Sequence, residues 1–219
     1  MQQKIYDFLM NNGAGQVGFA KLSGNNFSMP YAISYTIPLS NAIVNQIDKA
    51  PTHTYFHHYR SVNAYIDRLS LEVGLMLQDA GFNYVPIPAS QSVNGLQGIF
   101  SHKEAAVKAG LGTIGKSSLF ISKKHGPRIR LGTILTDCEF KVPKKPLDSI
   151  CKDCNICKLS CPAMAITGQE WSKDRPLSDI LDAKACSDYM KKEFQHIGRG
   201  VVCGICMKVC PKYKNKGLV

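Results

Sequence analysis

Hydrophobic positions in the first two thirds of the chain alternate between helical and extended spacing, and in the last third cysteine takes over the pattern. Ile5, Phe8 and Leu9 recur at helical spacing before Asn11, Asn12 and Gly13, which predicts a short first helix. Residues 16–22 (QVGFAKL) and 31–39 (YAISYTIPL) read as core-facing strands. From Ser61 to Ala80, Val62, Tyr65, Ile66, Leu69, Leu71, Val73, Leu75, Met76 and Leu77 predict a long helix, capped by Ser61 and stopped by Gly81. An extended segment at 83–89 (NYVPIPA) and a short helix at 103–109 (KEAAVKA), closed by Gly110, come next. Two strands follow, 117–122 and 129–136, joined by a Gly126-Pro127 turn, so they are expected to pair as a hairpin with Arg128 and Arg130 on one exposed face.

Residues 141–150 (KVPKKPLDSI) have the prolines, lysines and lack of period of a linker. The expected organisation is therefore α+β: a mixed α/β domain over 1–145, then a bacterial-type two-cluster ferredoxin domain over 146–219, with a helix at 178–195 between its cysteine runs.

The cysteines carry that second assignment. None of the nine precedes Cys138, and eight fall between Cys151 and Cys210. A disulfide framework would spread across the fold, so metal ligation explains them better. Cys151, Cys154, Cys157 and Cys161-Pro162 spell C-x2-C-x2-C-x3-C-P, the bacterial ferredoxin run, whose fourth cysteine ligates the neighbouring cluster. Cys203, Cys206 and Cys210-Pro211 form a second run with one cysteine fewer, and Cys186 is the remaining donor in the module. The predicted ligand sets are Cys151, Cys154, Cys157 and Cys210 for one 4Fe-4S cluster and Cys161, Cys186, Cys203 and Cys206 for the other. Zinc ribbons also use four cysteines, but in two C-x2-C pairs without crossed C-x3-C-P arms. Cys138 reads as a small buried hydrophobe.

Composition changes this picture little. With 44% hydrophobic and 20% charged residues and no low-complexity run, the chain should fold throughout. The start lacks the pattern of a signal peptide, and no apolar window reaches the roughly 18 to 20 residues that span a bilayer, so a soluble, cytoplasmic protein with no membrane partner is expected. The formal charge is +11, and two oxidised clusters at about −2 each leave about +7. Such a surface suits an acidic electron donor such as ferredoxin or flavodoxin, a phosphate-bearing cofactor, or RNA. A solvated lysine surface is the other reading.

Residues 110–115 (GLGTIG) match G-x-G-x-x-G, but a helix precedes them and a strand follows, the reverse of a dinucleotide fingerprint. Gly110, Gly112 and Gly115 instead report positive φ or close backbone approach. His102, Lys103 and Lys116 flank that loop, as cofactor-tail contacts or as exposed surface. Residues 53–60 (HTYFHHYR) concentrate histidine and tyrosine, as proton donors or as a polar loop and helix cap.

HKEAAVKAGLGTIGKSSLFI, RLGTILTD, the four-cysteine run, Cys186 and the three-cysteine run together resemble epoxyqueuosine reductase in order and spacing, over about residues 55–212. The resemblance implies an N-terminal domain of the cobalamin-reductase, nitroreductase-like kind, related to reductive dehalogenases, holding base-off cobalamin beside the cluster of Cys161, Cys186, Cys203 and Cys206. It implies a Co(I) working species and electrons passing from an external donor through both clusters to cobalt. The lower-ligand motif D-x-H-x-x-G is absent, in keeping with base-off binding.

Three positions depart from the family. Its catalytic aspartate, within Y-x-x-G-R-D-Y-H, aligns with Arg60 of YFHHYRSV, so His58, Tyr59 and Arg60 become the candidate catalytic residues. The family tryptophan before x-G-K is Thr113, and the chain ends soon after Cys210, ahead of the helical-repeat tail that grips tRNA. The expectation is an oxidoreductase acting on a corrinoid or a small molecule reduced on it. Electron transfer without a corrinoid, and epoxyqueuosine reduction on tRNA, are the alternatives.

Overall fold

The computed structural model describes residues 1–91, 93, 95–96, 98–142, 149–198 and 202–213. The boundary expected at 145/146 and the middle of the linker expected at 141–150, residues 143–148, lie outside the described residues.

The first helix, α1 (Gln2–Asn11), buries Ile5 and Leu9 and ends at Asn12, as the spacing predicts. Strands β1 (Gln16–Lys21) and β2 (Tyr31–Pro38) pair antiparallel. After a short helix α2 (Asn41–Asn45) comes α3 (His53–Asp79), then β3 (Tyr84–Ile87), α4 (His102–Lys108), β4 (Gly112–Ile114), β5 (Phe120–Ser122) and β6 (Ile129–Thr136). The main sheet is fully antiparallel, in the order β1-β2-β6-β3.

Because side chains alternate along a strand, β2 and β6 serve two cores at once. Tyr31, Ile33, Tyr35 and Ile37 of β2, with Ile134 of β6, pack under α1 and α3. Ala32 of β2 and Ile129, Leu131 and Leu135 of β6 face α4 and the β4-β5 pair, where Ala105 and Ala106 let the helix approach closely. The sheet is thus the middle of three layers.

Two expectations are corrected here. The long helix begins at His53, not Ser61: Thr52, after Pro51, accepts the Tyr55 N–H at 3.0 Å as its N-cap. Residues 53–60 contain no helix breaker, and Tyr55 and Tyr59 stay in phase with the buried stripe Val62, Ile66, Leu69, Val73 and Leu77. Second, 117–122 and 129–136 are not a hairpin. β5 pairs with β4, while both edges of β6 are occupied by β2 and β3, and 123–126 close as their own tight loop under a Ser122↔Gly126 bridge. Arg128 and Arg130 do share a face, but it is the inner one, toward α2 and α3, and Arg128 is only 2% exposed.

α3 crosses β3 at Gly74, where a Cβ would overlap the Tyr84 ring. Gly74→Ala is expected to cost about 1–3 kcal/mol, read as a lower urea midpoint at unchanged slope.

The last third holds α5 (Ile156–Leu159), a 3-10 turn Leu177–Asp179, α6 (Ala183–Gly198), α7 (Ile205–Val209) and a 3-10 turn Pro211–Tyr213. α6 begins five residues later than expected because the Asp182 carboxylate accepts the Ala185 N–H at 2.9 Å and fixes the first turn there. Val202, Ile205 and Met207 complete the core under α3, so the second cysteine run is built onto the sheet domain. Among the described residues no helix is long and apolar enough to cross a membrane.

Candidate iron-sulfur centre

Short helical turns present the cysteines. Cys157 lies in α5, with Cys161 just beyond its end, and Gly204, left-handed at φ 83°, starts α7, which carries Cys206 and ends at Cys210. Cys186 sits in the first turn of α6. All eight thiols are half-buried, whereas Cys138 is buried, as expected for a packing residue.

Their electrostatic neighbours fall into two sets. Cys210 feels Cys151, Cys157 and Cys154, whereas Cys186 feels Cys203 and Cys161, and Cys203 feels Cys161. Cys206 feels Cys203 and Cys186 first, then Cys157 of the other set ahead of Cys161, and so stands where the two sets meet. Burial first, and then these neighbours, push the Cys186 and Cys210 thiols up to about 11 and raise Cys206 further. Bound iron removes that penalty by holding the thiolate form. Backbone amides of Lys116, Lys158, Ile205 and Lys212 favour the thiolates of Cys151, Cys157, Cys203 and Cys210 respectively. Eight soft sulfur donors in runs of ferredoxin spacing, with backbone amides at four of the sulfurs, suit 4Fe-4S clusters.

The glycine-rich segment is half strand, since 112–114 form β4. Gly110 has φ 72°, and a Cβ at Gly112 would overlap the Ile121 carbonyl across the strand pair. At Gly115 a Cβ would lie 2.5 Å from Ile121 Cδ1 and 3.2 Å from Cys151 Sγ. Lys116, 6% exposed, places Nζ 3.3 Å from Asn155 Oδ1, so the segment closes on the first cysteine run. Thr113 is buried in β4. Lys103 Nζ donates to Ser118 O and Oγ, both at 2.9 Å. The His102 ring is held at 2.8 Å from Thr133 Oγ1 and 3.0 Å from Pro88 O, and burial lowers its basicity. The side chains of His102, Lys103 and Lys116 are thus engaged with protein groups. An open surface depression of about 800 Å³ lies beside Thr167 and Arg175, and a smaller one of about 240 Å³ between Ser23 and α4.

The three candidate catalytic residues diverge. His58 Nε2 accepts the Ser40 N–H at 3.0 Å, and burial lowers its basicity. Arg60 is exposed, with its guanidinium 5.6 Å from the Phe56 ring centroid. Tyr59 turns inward, under the Arg130 guanidinium at 4.3 Å. Burial pushes the Tyr59 phenol up, but Arg130 and hydrogen bonds with Ser90 and Asn63 outweigh it and hold the phenol below its ordinary value. Arg130 is itself fixed by Asn63 Oδ1 at 2.8 Å and Ala89 O at 3.0 Å. Tyr55, buried one turn earlier, feels Arg130, Tyr59, Cys206 and Cys203, and so stands between this group and the second thiol set. Reading Arg130 as exposed missed it. An arginine inside the apolar strand IRLGTILT was the available signal.

Arg128 ties the runs to the sheet domain. Nη1 donates to Asn41 and Asn45 Oδ1, both at 2.9 Å, Nη2 to Lys208 O at 3.3 Å, and the guanidinium stacks 3.4 Å from the Tyr213 ring centroid.

Fold and site define an iron-sulfur protein in which an α+β part carries a two-cluster domain: residues 150–213 match the family described as a 4Fe-4S double cluster binding domain. The chain is 33% identical over 124 residues to epoxyqueuosine reductase of Staphylococcus aureus (strain NCTC 8325 / PS 47), a match covering 55% of this chain and 31% of that protein. It is 31% identical over 122 residues to tetrachloroethene reductive dehalogenase of Sulfurospirillum multivorans, covering 50% and 23%. It therefore spans less than a third of these curated relatives. Among solved structures, a reductive dehalogenase described with a mechanism for B12-dependent dehalogenation superposes with a TM-score of 0.75 at 18% identity, over 94% of this chain and 31% of that one. Epoxyqueuosine reductase with a tRNA-Tyr epoxyqueuosine-modified stem loop gives 0.62 at 17%, over 98% and 66%. At these identities the structures speak for the fold.

Proposed function

We propose that the chain is an iron-sulfur oxidoreductase that takes electrons from an acidic donor protein, passes them through two 4Fe-4S clusters and delivers them to a corrinoid, or a substrate reduced on it, at the face of Tyr59 and Arg130. Residues 1–145 would bind the acceptor and 146–219 the clusters. Cys151, Cys154, Cys157 and Cys210 hold one cluster, and Cys161, Cys186, Cys203 and Cys206 the other. The observation that carries the reading is the adjacency of the second thiol set, Tyr55, and the Tyr59–Arg130 pair. Arg130 supplies positive charge for an anionic group, and Tyr59, its phenol made more acidic by that charge, is the proton source. A corrinoid would supply a low-potential metal centre. It enters by likeness to the B12-dependent relative, and with the glycine segment closed on Cys151 it would meet the chain at Tyr59 and Arg130.

That closure favours a second reading, electron transfer without a corrinoid, although about 145 residues exceed what docking needs when domains of about 60 fold alone. Reduction on tRNA predicts salt-sensitive tRNA binding, and indifference to tRNA at low salt would end it. Anaerobic titration of the reconstituted chain with cob(II)alamin separates the first two readings. A shift to the base-off spectrum is expected, with Arg130→Met weakening apparent affinity about tenfold, the loss of one charged hydrogen-bonding partner. No shift at saturating protein removes the corrinoid and leaves the carrier.

A further inference from the structure

We propose that the glycine-rich segment serves the cluster of Cys151, Cys154, Cys157 and Cys210, and that the buried Lys116 ammonium sets that cluster's reduction potential above its neighbour's. The proposal rests on the two-cluster reading and deepens it.

Gly115 lets the backbone close on Cys151, since a Cβ there would lie 3.2 Å from Sγ, and Lys116 follows at 6% exposure. Its Nζ reaches Asn155 Oδ1 at 3.3 Å, between Cys154 and Cys157 in sequence, so the cation stands over the first run. The Lys116 backbone amide and side-chain charge both act on Cys151, and the half-buried Glu170 acts on it more strongly than that charge, so Lys116 offsets an acid as well as the cluster. The buried Arg128 donates to Lys208 O at 3.3 Å, two residues before Cys210. Two cations from the sheet domain thus flank this cluster.

The other cluster has different surroundings. Gly204, beside Cys203, packs against Ile47 and Tyr55, Ile205 and Met207 are buried, the Ile205 amide bonds Cys203, the acid Asp182 acts on Cys186, and Arg130 acts on Tyr55 rather than on a thiol of this set. Reduction adds an electron to an already anionic cluster. Nearby cations and N–H donors favour that step, whereas apolar walls and a carboxylate oppose it. One electron leaves the first cluster as the second gains it, with no bond made or broken. Electrons therefore collect at the first cluster, and the second, beside Tyr55, is the stronger reductant.

EPR-monitored potentiometric titration of the anaerobically reconstituted full chain tests this. Two one-electron waves are expected, with Cys186→Ser altering the signal of the lower and so assigning it. Lys116→Met should lower only the upper wave, cutting the reduced-to-oxidised ratio at the wild-type midpoint about tenfold, about 59 mV for one electron. Lys116→Arg should keep the upper wave in place. Lys116→Gln, neutral yet able to bond Asn155, must lower it as Met does, which covers a Met variant that fails to load. An unmoved upper wave in a fully loaded neutral variant, or movement of the lower wave instead, overturns the proposal. Wild-type iron well below about eight per chain would instead sink the two-cluster reading beneath it.

Discussion

Replacing Cys186 with alanine is expected to cut bound iron and acid-labile sulfide from about eight to about four atoms each per chain. Cys186 lies 17 residues before the second run, in the first turn of a helix fixed by Asp182, and its thiol is set against Cys161 and Cys203 rather than any cysteine of the other set. Removing it leaves three donors for a four-cornered cluster. The remaining set, Cys151, Cys154, Cys157 and Cys210, keeps its full complement, so one cluster should survive with its own EPR signal. Cys138→Ala, at a buried thiol outside both sets, should leave iron unchanged. Full iron in the Cys186 variant would show that the fourth ligand comes from elsewhere.

The second large effect is expected at Arg128. Arg128→Met removes the donor for Asn41, Asn45 and the Lys208 carbonyl, and the plane on which Tyr213 stacks. Removing the donor leaves three neutral acceptors, Asn41 Oδ1, Asn45 Oδ1 and the Lys208 carbonyl, without their partner, which costs about 1–3 kcal/mol. The loss should appear as a lower urea midpoint and as faster iron release to a chelator, because the strap that holds α7 and Cys210 to α2 is cut. Arg128→Lys should recover only part of it, since an ammonium keeps the charge but not the planar fork. A methionine variant as stable as wild type would mean that α7 is held by Val202, Ile205 and Met207 alone.

Much of the fold was legible where one physical rule governed a segment. The spacing of Ile5 and Leu9 and the alternation in YAISYTIP returned α1 and β2 almost to the residue. The double-cluster domain was plain from cysteine spacing, because a cluster demands donors at fixed offsets. What sequence missed depended on partners distant in the chain. Residues 53–60 looked like a polar loop because their histidines face solvent or α2, while Tyr55 and Tyr59 face the core. The supposed hairpin failed because β6 finds better edges in β2 and β3 than in β5, which local turn chemistry does not report. Arg128 and Arg130 were misjudged for the same reason: the asparagines that solvate them lie 67 to 87 positions away. Gly115 was correctly suspected of close approach, but only the structure names Cys151 as the group approached.

The proposed route has electrons entering the clusters and leaving beside Tyr59 and Arg130 to a corrinoid. Stopped-flow mixing of the fully reduced, reconstituted chain with cob(II)alamin tests it most directly. The account predicts that the cob(II)alamin EPR signal disappears as the clusters are oxidised, with transfer lost in Cys186→Ala. Reduced clusters that persist beside an unchanged cob(II)alamin signal would contradict it.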